Sequence, residues 1–391
     1  MRDGTQQRNR LLAQAALIVL SAALLYSCSL QQEEKVRTDP FRLVKAVSSP
    51  GRYAYHAFYT GAFGNTIEVF DLESKESIGT IVPDEQKKIG AIAISPSEPR
   101  GILTLFEVPG NVYKFDLRNH SWERTTLLER VMLGVSVYAP REDIAWISVV
   151  GHPEILELNT SSNSVVATIN LAAHFKKPLP HVALSPAGEY LAVLGTSPSD
   201  TNYYDNVSLV ILDTRSRSLQ SVVSLDAAPG NPVFTPDGSR LCIQDFSMED
   251  VLLIDIQNRN LTRMPLVRNS VITNKLVIPS SAVDPVRGIL VASLADPTIE
   301  SYGPLNTLAV FDLSEKKMKA VHSIGVKVSQ LQYQADGKVL YAVTPDGIAA
   351  LDGDTFAMLY EIKSSLLNSS QGDRRDPRNY MPGKLVIQEL K

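Results

Sequence analysis

Arg42, Lys88 and Lys327 each stand eight residues ahead of a turn that recurs along this 391-residue chain, and Arg130 and Lys275 stand ten ahead of theirs. Side chains of a strand alternate with a period of two, so both offsets share a side. Five cations so placed would form a positive rim, which focuses an anionic ligand or partner. Ordinary solvation of loop ends is the plainer reading of the same residues. Lys177 lies in the stretch His174-Phe175-Lys176-Lys177-Pro178, and His181 follows it. With carboxylates from elsewhere His181 could line a mouth, although a structural histidine is the simpler expectation. Tyr203, Tyr204 and Tyr302 sit in polar stretches, and tyrosine is a common interface anchor.

Chemistry beyond binding is sparse. The histidines, at 56, 120, 152, 174, 181 and 322, are scattered and lack paired metal-ligand spacing. The chain has no nucleophile elbow, Walker loop or dinucleotide-type glycine motif. Turns such as Asp237-Gly238 hold only a fragment of a calcium loop. No catalytic residue, metal or cofactor is therefore expected. Of the two cysteines, Cys242 lies in the run Leu241-Cys242-Ile243 and reads as a small buried hydrophobe, with no disulfide expected. Net charge is −4, with 44% hydrophobic and 20% charged residues, an ordinary globular composition that argues against a nucleic-acid partner.

What must position the candidate residues is a repeat. The turn appears as Ser49-Pro50-Gly51, Ser95-Pro96, Ala139-Pro140, Ser185-Pro186, Thr235-Pro236-Asp237-Gly238, Asp284-Pro285 and Ala335-Asp336-Gly337. Proline presets φ there and glycine accepts a positive φ. A second mark closes an apolar run in each unit: Asp71, Asp116, Asn159, Asp213, Asp255, Asp312 and Asp352. Such side chains hydrogen-bond the backbone two residues on and start turns. Both marks count seven, at spacings of roughly 40 to 57 residues. Four short antiparallel strands per unit make a propeller blade. Its two open faces are buried by stacking, and closing the ring leaves only short edges. The expected fold class is all-β, a seven-bladed β-propeller of four-stranded antiparallel blades.

The unit Pro232-Val233-Phe234-Thr235-Pro236-Asp237-Gly238-Ser239-Arg240-Leu241 resembles the YVTN and WD40-like repeats of bacterial seven-bladed propellers, over roughly residues 41–362. Propellers of this appearance include lactonases, cofactor-binding dehydrogenase subunits and binding scaffolds, so the resemblance implies a fold and leaves activity open. A lactonase-like site would need an axial cluster of His, Arg and carboxylate, and none matches residue by residue.

Alternating strand direction sorts the loops. First–second and third–fourth turns share one face, here the turn face; second–third loops and blade-to-blade linkers share the other, here the loop face. The long stretches, 196–206 in blade four and 296–306 in blade six, fall on the loop face. Long loops on a rigid scaffold carry function; neutral insertion is the alternative.

At the N-terminus, Arg2, Arg8 and Arg10 precede an uncharged run from Leu11 to Tyr26, the pattern of a secretory signal. Leu25-Tyr26-Ser27-Cys28 resembles the lipobox of bacterial lipoproteins. That implies that residues 1–27 are a signal peptide and that Cys28 is lipidated, its acyl chains giving stable anchoring. An uncleaved membrane anchor is the alternative, although the run is short for a span. Ser29 after the cysteine resembles the outer-membrane sorting class. Residues 28–40 read as a flexible tether. Residues 363–391 read as a tail in which Lys384 to Leu390 has strand character. Since all seven blades count as complete without it, that strand is expected over an outer edge, a flexible end being the alternative.

The combined expectation is a cell-envelope propeller, anchored to the membrane through Cys28 and binding an envelope protein or a small anionic ligand. The alternatives are a periplasmic lactonase-like hydrolase of a small lactone or sugar acid, and an accessory subunit of outer-membrane assembly.

Overall fold

Each Asx mark closes the third strand of an antiparallel sheet, and there are seven such sheets. Asp71 accepts the backbone N–H groups of Glu73 and Ser74, Asn159 those of Ser161 and Ser162, and Asp352 those of Asp354 and Thr355. Asp116, Asp213, Asp255 and Asp312 cap their turns in the same way. The residue four after each mark then adopts a positive φ, between 52° at Asn163 and 60° at Arg259, and none of the seven is glycine.

The computed structural model describes residues 40–58, 65–84, 87–138, 143–196, 207–225, 229–245, 249–267, 276–296, 303–368 and 384–391. Blade one holds β1 (Phe41–Leu43), β2 (Gly51–Ala57), β3 (Ile67–Asp71) and β4 (Glu76–Ile81). Blade two holds β5 (Ile89–Ile94), β6 (Arg100–Leu105), β7 (Gly110–Asp116) and β8 (Ser121–Leu128). Blade three holds β9 (Leu133–Tyr138), β10 (Ile144–Val149), β11 (Glu154–Asn159) and β12 (Ser164–Asn170). Blade four holds β13 (Lys177–Leu184), β14 (Tyr190–Thr196), β15 (Val207–Asp213) and β16 (Ser218–Leu225). Blade five holds β17 (Val233–Phe234), β18 (Arg240–Asp245), β19 (Asp250–Asp255) and β20 (Leu261–Pro265). Blade six holds β21 (Val277–Val283), β22 (Ile289–Asp296), β23 (Gly303–Asp312) and β24 (Lys317–Ser323). Blade seven holds β25 (Leu331–Tyr333), β26 (Val339–Thr344), β27 (Gly347–Asp352) and β28 (Met358–Lys363), followed by a 3-10 turn at Ser365–Asn368. β29 (Lys384–Leu390) returns to blade one. No described helix is long and apolar enough to cross a membrane.

Blade one corrects two expectations. β29 pairs antiparallel with β2, from Gly51 opposite Leu390 to Ala57 opposite Lys384, and takes the innermost place. The last strand therefore closes the ring from inside and covers no outer edge. β1 pairs with β4 as a fifth, outermost strand, Phe41 opposite Ile81. Arg42 on β1 accordingly lies at the outer edge and not beside the axis. The physical reason is that Ser49-Pro50-Gly51 opens the second strand of blade one, so the first-strand slot is filled from the far end of the chain. Gly79 admits β1: its φ is +126°, and a Cβ there would fall 2.1 Å from the Arg42 carbonyl oxygen. Phe41 then stacks on His120 of blade two, 5.1 Å between centroids, and meets Trp122 edge-on at 6.2 Å.

Around the ring the inner strands touch in sequence: β29, β5, β9, β13, β17, β21, β25 and again β29. The core lies between blades. Tyr55, Ile67 and Val69 pack on Ile92, Leu103 and Phe115, and on the other side Phe70 and Leu385 pack with Tyr341 and Ile348. Middle strands are buried on both faces and so read as unbroken apolar runs, whereas an outer strand such as β12 is largely exposed. The channel-facing edges leave backbone groups that need partners. Side chains of neighbouring blades supply them: Ser280 Oγ accepts from Leu331 N at 3.1 Å, and Gln332 Oε1 from Ile387 N at 3.2 Å.

Candidate functional site

On the loop face, Lys88 stands just before β5 and is exposed, as are Arg130 before β9 and Lys327 before β25. Lys177 begins β13. Tyr203, Tyr204, Lys275, Tyr302 and Cys28 lie outside the described residues. The innermost strand of blade one begins instead with Lys384 on β29, in the register of Ala91 on β5, and its Nζ donates to the Ile92 carbonyl of β5 at 2.9 Å. Burial pushes its ammonium down to about 8. Strand pattern alone gives no sign of this lysine, because it places the last strand at an outer edge. His181 Nδ1 is 2.7 Å from Asn231 Oδ1, across the boundary between blades four and five. Burial lowers its pKa against the opposing Asn231 bond, so the ring is neutral near pH 7 and adds no charge to a rim.

The β6–β7 loop next to Lys88 is held from below. Phe106 N donates to the Lys88 carbonyl at 2.9 Å. The buried Glu107 carboxylate accepts from Lys87 Nζ at 2.6 Å, Asn111 Nδ2 at 2.8 Å and Tyr113 Oη at 2.5 Å. Burial alone would raise the Glu107 pKa, but these three donors outweigh it and hold the carboxyl below its ordinary value. With Glu107 turned inward, the loop shows water Phe106 and Val108, 50% and 59% exposed. In blade five, Asp245 and Asp250 face each other across β18 and β19, and Arg263 Nη1 bonds both, at 2.8 and 3.3 Å. That arrangement is a paired charge cluster and leaves the carboxylates engaged. Among the described residues no group of three or more His, Cys, Asp or Glu is placed to hold a metal ion.

At the turn-face end of the inner strands, a cavity of about 320 Å³ spans blades five to seven. Val233, Ser281, Val283, Gln332, Tyr333 and Gln334 are among its walls. Its polar groups are hydroxyl and amide. Ser281 Oγ accepts a hydrogen bond from Gln244 Nε2, so its neighbour is an amide and not a base. The Tyr333 phenol donates to the Gly353 carbonyl at 3.2 Å, and burial raises its pKa further out of reach of neutral pH. Sequence reasoning passed over this cavity. The available signal is the alternation Gln330, Gln332, Gln334, of which Gln332 lies on the innermost strand of blade seven and the other two flank it. The equivalent places in blade two carry the small Ala93 and Ser95.

No family model matches the chain, and no curated protein matches it. Among solved structures it is similar to the Kuenenia stuttgartiensis Hydrazine Synthase, with a TM-score of 0.59 and 14% identity over 80% of this chain and 99% of that one. At that identity the likeness carries the fold alone: four-stranded antiparallel blades, seven of them, in a closed β-propeller.

Proposed function

We propose that the protein is a binding scaffold of the bacterial cell envelope, held to the outer membrane by lipid on Cys28 once residues 1–27 are removed. The observation that carries the binding role is the chemistry of the turn-face cavity. Its volume suits a small ligand or a partner's side chain. Its hydroxyl and amide groups orient a guest, and the Ser281 hydroxyl is engaged by the Gln244 amide. The loop face, with Lys88, Arg130 and Lys327, is the second surface for an anionic partner.

Two measurements test the reading. Metabolic palmitate labelling is expected in the full chain and absent in Cys28→Ser, which should also leave the membrane fraction. Thermal-shift and calorimetric titration with uncharged polar molecules and small anions should find a ligand that Gln332→Leu or Lys88→Ala weakens. Hydrolysis of lactones at enzymatic rates by purified protein would replace the scaffold reading with the hydrolase.

A further inference from the structure

We infer that the turn-face cavity takes a short uncharged peptide segment, held through the amides of its main chain. This names the ligand class of the cavity and rests on its proposed binding role. The walls include parts of β21 and β25, the inner strands of blades six and seven. Bonded and unbonded positions alternate along an antiparallel pair. Asp284 N donates to the Ile289 carbonyl and Gln334 N to the Val339 carbonyl, each at 2.9 Å. Val283, opposite Leu290, and Tyr333, opposite Leu340, are therefore unbonded positions. Their N–H and C=O groups point away from β22 and β26, toward the axis, and have no partner among the described residues. Ser281 lies two residues before Val283, in the same phase. Leu331 is also in that phase, but its N–H is taken by Ser280 Oγ, so the edge of β25 is capped there and open at Tyr333. The walls thus offer main-chain donors and acceptors at the two-residue repeat of a strand, about 7 Å.

The side chains add unmet groups of both kinds. Gln334 is 8% exposed, and its Oε1 accepts from nothing among the described residues. A buried acceptor without a donor is rare in a folded chain. Gln332 uses Oε1 to accept from Ile387 N, and its Nε2 donates to nothing among the described residues. The Ser281 hydroxyl accepts from Gln244 and keeps its own proton to give. No wall residue carries a charge at neutral pH, and Asp284 beside them is paired with Arg287 Nε at 2.7 Å. A charged guest would lose its water and gain no counter-ion. Tyr333 packs in the core with Leu331 and Leu340, so its ring offers no open face for a sugar to stack on. A neutral guest that presents N–H and C=O groups at the repeat of a strand is a peptide main chain. The volume of about 320 Å³ limits it to a short segment.

The test is calorimetry on the full chain with N-acetyl-alanyl-alanine N-methylamide. Its counterpart is the same molecule with the central N–H replaced by an ester oxygen. The expected result is saturable one-to-one binding of the amide and about tenfold weaker binding of the ester, the effect of one lost hydrogen bond. That comparison is made on the unaltered protein and needs no variant to fold. Gln334→Leu and Ser281→Ala should each weaken the amide severalfold, and Lys88→Ala on the loop face should leave it unchanged. Equal binding of amide and ester, or amide binding unmoved by Gln334→Leu, overturns the peptide assignment. A cavity that refuses the amide but takes a neutral disaccharide, in a manner sensitive to Gln332→Leu, overturns it too and leaves the binding role of the cavity standing. A protein that takes none of these molecules overturns the assignment and the role of the cavity together.

Discussion

Tyr55 Oη donates a 2.7 Å hydrogen bond to Gln388 Oε1, between two buried residues 333 positions apart in the chain. The same glutamine turns its Nε2 to the carbonyls of Ser95 and Glu98 in blade two, the latter at 2.6 Å. One amide on the last strand thus fastens blade one to itself and to its neighbour. Glu68 does the corresponding work toward blade seven, accepting from Ser364 Oγ at 2.5 Å and from Ser365 N at 2.7 Å. Replacing Gln388 with Leu strands a buried phenol and two carbonyls, and each unmade bond costs about 1–3 kcal/mol. Gln388→Leu is expected to lose about 3 kcal/mol overall in urea unfolding. Deleting residues 384–391 should abolish the cooperative transition. An unchanged urea midpoint in Gln388→Leu would show that the ring does not depend on this strand.

Gly79 carries the opposite end of the same blade. A methyl group there meets the Arg42 carbonyl and the Leu43 Cα, at 2.1 and 2.8 Å, in a backbone conformation that L residues avoid. Gly79→Ala should release β1 and with it Phe41 from Trp122, at about 2 kcal/mol. The checkable signature is a red shift of Trp122 emission in native buffer, with the far-ultraviolet β spectrum retained.

Most of the architecture could be read from residue types because its marks are local. An Asx side chain and a Pro or Gly define a turn within four residues, whatever the distant chain does. That is why Asp71 through Asp352 count the blades correctly. The placement of Arg42 and of Lys384 is different in kind. Either end of the chain could supply the missing strand of blade one, and pattern alone is blind to the choice because both segments read as short strands. The decision lies in Gly79, which opens room for β1 on the outside, and in Gln388, whose buried partners exist only on the inside. The cavity at Ser281, Gln332 and Gln334 escaped for a related reason. It belongs to three inner strands at once, and no single stretch of sequence contains it.

The seven left-handed residues after the Asx marks make a paired prediction. Lys316 and Phe356 have nearly equal φ, 55° and 58°. A non-glycine residue is disfavoured there, and glycine relieves the strain at some entropic expense. Lys316 is exposed, so Lys316→Gly should raise stability by about 0.5–1 kcal/mol. Phe356 is 3% exposed and packs in the core with Val310, Leu340 and Leu351. Phe356→Gly should therefore lose about 4 kcal/mol despite the same backbone relief. Chemical denaturation of the two variants checks the opposite signs.

Glu107 gives the β6–β7 loop a dependence on pH whose direction follows from its bonds. Burial raises its pKa, the Lys87, Tyr113 and Asn111 donors lower it more, and the net folded value lies below the ordinary 4.5. A group with a depressed folded pKa contributes stability that is fully present above its unfolded value and is lost as pH falls through the folded one. The loop should hold at pH 5 and above and loosen below about 4.5. Trp122 reports it, since its ring stacks on Tyr113 at 5.1 Å and Tyr113 Oη bonds the carboxylate. In a Trp146→Phe background the fluorescence of Trp122 should change through a single acid transition at a midpoint below 4.5. Glu107→Gln has no carboxyl to protonate and should show none, with the loosened signal already present at neutral pH because the Lys87 ion pair is gone. A Trp122 signal that titrates identically in both proteins would assign the acid response to another carboxylate and free the loop from Glu107.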